Sequence, residues 1–107
     1  MIKVIIKRNT KLHRASISMS GHAEYANHGE DIICAAASFL GITINNQLFR
    51  LNNKIKTSIN DEPSLLLIEN ITTVGEENTL LEYFENSIKE LEHENKKFVQ
   101  VQTKKEA

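Results

Sequence analysis

Ile2-Lys3-Val4-Ile5-Ile6-Lys7 and, after a short polar stretch, Ala15-Ser16-Ile17-Ser18-Met19-Ser20 decide the fold of this chain. In the second segment apolar side chains alternate with serines, and in the first Ile2, Val4 and Ile6 alternate with Lys3, Ile5 and Lys7. A period of two puts each apolar set on one face of a strand. The connection Arg8-Asn9-Thr10-Lys11 is polar and turn-forming, so the two strands are predicted to pair as a hairpin.

Beyond the hairpin the period changes. Residues 21–30 show none, and a ten-residue irregular loop in a small domain is often functional. Asp31 suits a helix N-cap, and Ile32, Ile33, Ala36, Ala37, Leu40, Ile44 and Leu48 then follow helical spacing to about Arg50 or Leu51. Gly41 inside that helix costs about 1 kcal/mol relative to alanine, which points to close packing there. Two short strands are predicted near Lys54–Ile59 and Leu65–Asn70, divided by the turn Asn60-Asp61-Glu62-Pro63. A second helix follows over roughly Glu76–Glu94, with Leu80, Leu81, Phe84, Ile88 and Leu91 on one face. Glu76 and Glu77 match its positive N-terminal end, whereas Glu90, Glu92 and Glu94 crowd the wrong end. Phe98, Val99 and Val101 indicate a last strand. The order ββαββαβ predicts a single α+β domain over residues 1–107, with two helices covering a largely antiparallel sheet.

The bulk properties narrow the classes. A chain of 107 residues buries roughly 65% of its unfolded surface, so no disulfide or structural metal is needed. One cysteine forms no intrachain disulfide and fits a reducing compartment. No signal peptide is expected and no run reaches transmembrane length, so a cytoplasmic protein that makes no membrane contact is the expectation. Net charge is −1, unevenly spread. Residues 1–59 carry eight basic and three acidic side chains, and residues 60–95 one basic and ten acidic. No basic patch is interleaved with aromatics, so direct nucleic-acid binding is not predicted.

The chemistry concentrates in residues 21–38. His22 lies in Gly21-His22-Ala23, and the only cysteine in Asp31-Ile32-Ile33-Cys34-Ala35-Ala36-Ala37-Ser38. With Asp31 as N-cap, Cys34 falls in the first helical turn, where free N–H groups and the macrodipole favour a thiolate. Glu30 and Asp31 oppose that charge unless it is held elsewhere. An imidazole nearby supplies a base and then an acid for a leaving amine. Ser38 lies four residues on, along the same helix face, where it contacts substrate or returns a bond to the backbone. Gly21 and Gly29 bracket the loop, as turn glycines or as hinges of a lid.

Taken singly these residues are weak evidence: a lone cysteine most often ends as a small buried hydrophobe. His28 rivals His22 as base, whereas His13 and His93 fall on a turn and a helix end. His22-Ala23-Glu24 matches half of a zinc-deaminase motif, but the Pro-Cys-x-x-Cys partner is absent, so no metal or other cofactor is expected.

Together, Gly21-His22-Ala23, Gly29, Asp31-Ile32-Ile33-Cys34-Ala35-Ala36 and Ser38 resemble the ribosomal-processing cysteine protease family, Prp. The likeness is strongest over residues 21–38. It implies a homodimeric cytoplasmic endopeptidase that trims the N-terminal extension of a large-subunit ribosomal protein after an aromatic, hydrophobic stretch. Cys34 would be the nucleophile and His22 the general base and acid. Asp31, which would orient His22, cap the helix or do both, and Ser38 match family positions. The acidic 60–95 segment would draw a basic ribosomal protein. A ribosome-associated module that binds a peptide without cutting it, and a thiol redox sensor built on Cys34, are the alternatives. The absence of a resolving cysteine weakens the sensor.

Overall fold

The computed structural model describes residues 1–21, 28–61 and 64–106. Its elements are β1 (Ile2–Asn9), β2 (Arg14–Ser20), α1 (His28–Leu51), β3 (Lys56–Asp61), β4 (Ser64–Thr72), α2 (Gly75–Glu94) and β5 (Val99–Glu106). The predicted order ββαββαβ is the observed one. The five strands form one sheet in the order β3-β4-β2-β1-β5. β1 and β2 form the predicted antiparallel hairpin, closed by a turn in which Asn9 Oδ1 accepts from the Leu12 N–H at 3.0 Å. β4 pairs antiparallel with β2 and with β3, and β5 alone runs parallel to its neighbour, β1.

The two-residue alternation of the hairpin builds the core. Ile2, Val4 and Ile6 of β1 and Ala15, Ile17 and Met19 of β2 are all buried on the helix side. Ile68 and Ile71 of β4 join them, covered by Ala37, Ile44 and Leu48 of α1 and by Leu81, Phe84 and Ile88 of α2. α1 comes close because residue 41 is glycine. A Cβ there would lie 2.6 Å from Met19 Sδ and 2.9 Å from Leu66 Cδ2, so a side chain would require those two side chains to shift. The segment Ile32–Leu51 is nevertheless long and apolar enough to cross a membrane by length and composition, which corrects the expectation that no run has that length. Ala37, Ile44 and Leu48 seat it on the sheet, while most of the segment, of which 22% is buried, stays exposed.

β3 spans Lys56–Asp61 where Lys54–Ile59 is predicted, and three further differences from expectation each have a physical reason. α1 begins at His28, so Asp31 is a residue of the helix and not its N-cap, and Gly29 is helical and not a loop hinge. Of the predicted loop over 21–30, residues 22–27 lie outside the described residues. β4 runs on to Thr72 because Asn70 adopts a left-handed conformation (φ 69°) opposite the register shift between Ala15 and Ile17. β5 extends to Glu106 because its polar outer half pairs residue for residue with β1, from Ile2↔Val99 to Asn9↔Glu106. Backbone pairing of that kind leaves no apolar period in the sequence.

The misplaced acidic residues of α2 also find a reason. Glu92 Oε2 accepts from the Val101 N–H at 2.7 Å, tying the helix end to β5. At the other end Val74 provides no side-chain cap, and Glu77 Oε1 accepts from the Thr72 N–H at 3.1 Å and from Asn52 Nδ2 at 3.2 Å. Burial raises the pKa of Glu77, but these hydrogen bonds and the Arg14 charge outweigh it and leave the value lowered.

Candidate active site

The first half of α1 passes over one end of the sheet and leaves a groove of about 220 Å³ beneath its edge. Cys34 is half-buried and Ser38, one turn on, is exposed; both side chains line the groove, as the i, i+4 spacing predicts. Ala37 beside them is buried and small, which leaves room below the thiol. The floor and far wall come from strands remote in sequence: Ile2 and Met19 from the hairpin, Leu65 and Leu66 from β4, Ile59 and Asn60 from β3.

Gly21 closes the groove at the end of β2. Its φ is 88°, in the left-handed region, and a Cβ there would overlap the Met1 carbonyl oxygen. Only glycine meets both demands at the end of β2. His22 itself lies outside the described residues. Asp31 precedes Cys34 on α1 and Gly29 sits in the first turn, so the helix brings both to the thiol's end of the molecule. The structure thus gathers Gly21, Cys34 and Ser38 into one groove.

The longer helix changes one chemical argument. With α1 starting at His28, Cys34 stands in the second turn, where its N–H is already used within the helix. The free amides of the first turn belong to earlier residues, so helix-start activation of Cys34 does not hold.

Among the described residues, none that line the groove carries a formal charge. Polar atoms come from Cys34, Ser20, Ser38 and Asn60, and the rest of the surface is apolar or glycine backbone. A larger concavity, about 410 Å³, lies on the uncovered face of the sheet among Lys7, Arg14, Lys56, Glu69 and Glu106. It contains neither thiol nor imidazole, and Arg14 Nε there donates to Asn70 Oδ1 at 3.1 Å. Among the described residues no group of three His, Cys, Asp or Glu side chains could hold a metal. His13 sits in the hairpin turn at the end of the strands remote from Gly21, and His93 at the end of α2.

The groove's strand residues, Ile59, Leu65, Leu66 and Met19, were not singled out from sequence. Their apolar character marks them only as core, and the topology alone brings them to Cys34.

The family model described as cysteine protease Prp matches residues 1–100. No curated protein matches the chain. Among solved structures, SMU.848 from Streptococcus mutans is similar at a TM-score of 0.80 and 22% identity, covering 99% of this chain and 96% of that one. The ribosomal processing protease Prp from S. aureus in complex with a substrate peptide is similar at a TM-score of 0.78 and 22% identity. The same S. aureus protein with a covalently linked product peptide gives 0.79 and 24%. Each S. aureus alignment covers 96% of this chain and 99% of the other.

Proposed function

Since the chain belongs to the cysteine protease Prp family, we propose that it is the endopeptidase that removes the N-terminal extension of a large-subunit ribosomal protein, with Cys34 and His22 as its catalytic dyad. The observation that carries this reading is the groove, where Cys34 and Ser38 face a far end formed by Gly21, the residue before His22.

In the proposed reaction His22 takes the proton from Cys34 Sγ, and the thiolate attacks the scissile carbonyl carbon. The tetrahedral intermediate collapses as His22 returns the proton to the leaving amine, which is the new N-terminus of the mature ribosomal protein. The extension is left as a thioester on Cys34. Water, deprotonated by His22, then releases it as a carboxylate and restores the thiol. The covalently linked product peptide described for the S. aureus relative agrees with a nucleophilic thiol. Asp31 has lost its role as helix cap, which leaves orientation of His22 as its remaining proposed task. Ser38 lines the groove, and its proposed task is contact with substrate. The apolar groove suits the aromatic, hydrophobic stretch expected before the cleavage point.

Cys34→Ala and His22→Ala are each expected to abolish cleavage of the extended ribosomal protein, followed by mass spectrometry, with an unchanged circular dichroism spectrum. Retained cleavage by either variant overturns the dyad. A native protein that binds the extended substrate and returns it intact would be a peptide-binding module instead. The reaction is placed in the cytoplasm, where ribosomal proteins are made. The active species is proposed to be a homodimer, supported by an exposed apolar stripe along α1 that includes Ile32, Phe39, Ile42 and Phe49.

A further inference from the structure

The two edges of the sheet are unlike each other. β5, paired only to β1, ends in Lys104-Lys105-Glu106, a run of charge that keeps other strands away. β3, paired only to β4, carries its charges at its two ends, Lys56 and Asp61, and has no charge, proline or glycine between them, from Thr57 to Asn60. Its register with β4 is unbroken from Lys56↔Glu69 to Asp61↔Ser64, so the edge is straight and its outward amides and carbonyls are regularly spaced.

The side chains on that edge are equally unfinished. Val101, Val4, Met19, Leu66 and Ile59 form one row across all five strands on the helix side. Met19 and Leu66 lie under Gly41 of α1. Ile59, the last of the row, is 64% exposed although it faces the same way, and with Asn60 it forms the groove wall across from Cys34. The row therefore runs out from beneath the helix into the candidate active site. Thr57 Oγ1 donates to Asn45 Oδ1 of α1 at 2.6 Å, which fixes the distance between this edge and the helix.

We infer that the substrate binds as an added strand on the outer edge of β3, with one of its apolar side chains packed on Ile59 and entering the groove below Cys34. The inference rests on the endopeptidase reading. Extended peptides commonly add to an unguarded sheet edge, where the main chain supplies affinity and alternate side chains supply specificity. The occupant is an uncharged, apolar stretch of peptide, because neither Thr57–Asn60 nor any described residue lining the groove offers a charge for it to match. Cleavage of an extended, strand-forming segment follows from this, whereas a helical segment would have to unwind first.

The test uses the native protein and a set of synthetic peptides spanning the extension junction, each N-methylated at one backbone position. Strand addition predicts that KM rises about tenfold at every second position and stays near the parent value between them. Ile59→Lys is expected to raise KM about tenfold with an unchanged thermal midpoint, and Gln102→Lys on the β5 edge to leave KM as it was. A methylation profile without alternation overturns strand addition even though the parent peptide is cut. An Ile59→Lys variant that cleaves with native KM but loses self-association also overturns it, since the β3 edge would then serve a second copy of the chain. Failure to cut the parent peptide at all sinks the endopeptidase reading itself, a separate outcome.

Discussion

Gly21 shows how one residue connects backbone geometry to the proposed catalysis. Its φ of 88° is open to glycine and strained for other residues, and the Met1 carbonyl occupies the space a Cβ would need. Gly21→Ala therefore meets backbone strain and steric overlap together, a cost of about 1–3 kcal/mol. Because residue 22 follows directly, the strain is relieved by turning the chain there, which displaces the proposed base. The expected outcome is a lower midpoint in urea and a kcat reduced about a hundredfold, the scale of a 1 Å misplacement. A variant with native kcat would deny Gly21 any part in placing His22. The residues proposed to carry the chemistry stand out in the sequence because side-chain type and local spacing are local facts: the glycine before a histidine, the thiol, and a serine four positions on. The groove's other wall was not legible. Ile59, Leu65 and Leu66 are ordinary apolar residues until β3 and β4 are laid beside the hairpin, and that pairing depends on contacts far apart in sequence.

Among the elements, α2 is fastened to the sheet by carboxylates as well as by its apolar face. Glu85 bridges Arg8 of β1 at 2.6 Å and Lys89 at 2.8 Å, and its side chain is 17% exposed. Burial raises its pKa, but the hydrogen bonds and charges of Lys89 and Arg8 prevail, and the value ends below the ordinary 4.5. Glu77 is lowered in the same net sense at the start of the helix. Both carboxylates therefore hold their protons less tightly in the folded than in the unfolded chain. Their stabilising contribution is complete above about pH 4.5 and is lost as pH falls through the lowered folded values. The thermal midpoint is expected to drop on acidification below pH 4.5, and Glu85→Gln to flatten that drop while lowering the midpoint at neutral pH. An unaltered acid profile in Glu85→Gln would remove Glu85 from the account. Sequence reading found α2 from its Leu81, Phe84 and Ile88 stripe within a residue of its true start. It misjudged the start of α1, because Asp31 is a cap by residue type and only the backbone, helical from His28, decides against it.

For the molecule as a whole, the open question is what covers the outer side of α1. Ile32, Phe39 and Asn46 recur every seven residues, and so do Ala35, Ile42 and Phe49. All six are exposed, and Phe39 is 70% accessible. A seven-residue repeat of this kind is the seam of a two-helix coil, and a polar Asn within it fixes register at some cost in stability. The opposite face of the same helix carries Ala37, Ile44 and Leu48 into the core, so α1 is apolar on two sides, which explains its likeness to a membrane span. In the proposed homodimer a second α1 would pack along this seam. Ile42 belongs both to the seam and to the groove, so the partner would border the site beside Cys34. Sedimentation equilibrium at micromolar concentration is expected to give twice the chain mass for the native protein and the single mass for Phe39→Glu. The folded Phe39→Glu monomer is expected to cleave more slowly because one border of its groove is missing. A native protein that sediments as a monomer sinks the dimer. A Phe39→Glu monomer with native kcat and KM would separate the seam from the active site, leaving Ile42 as part of the groove wall alone.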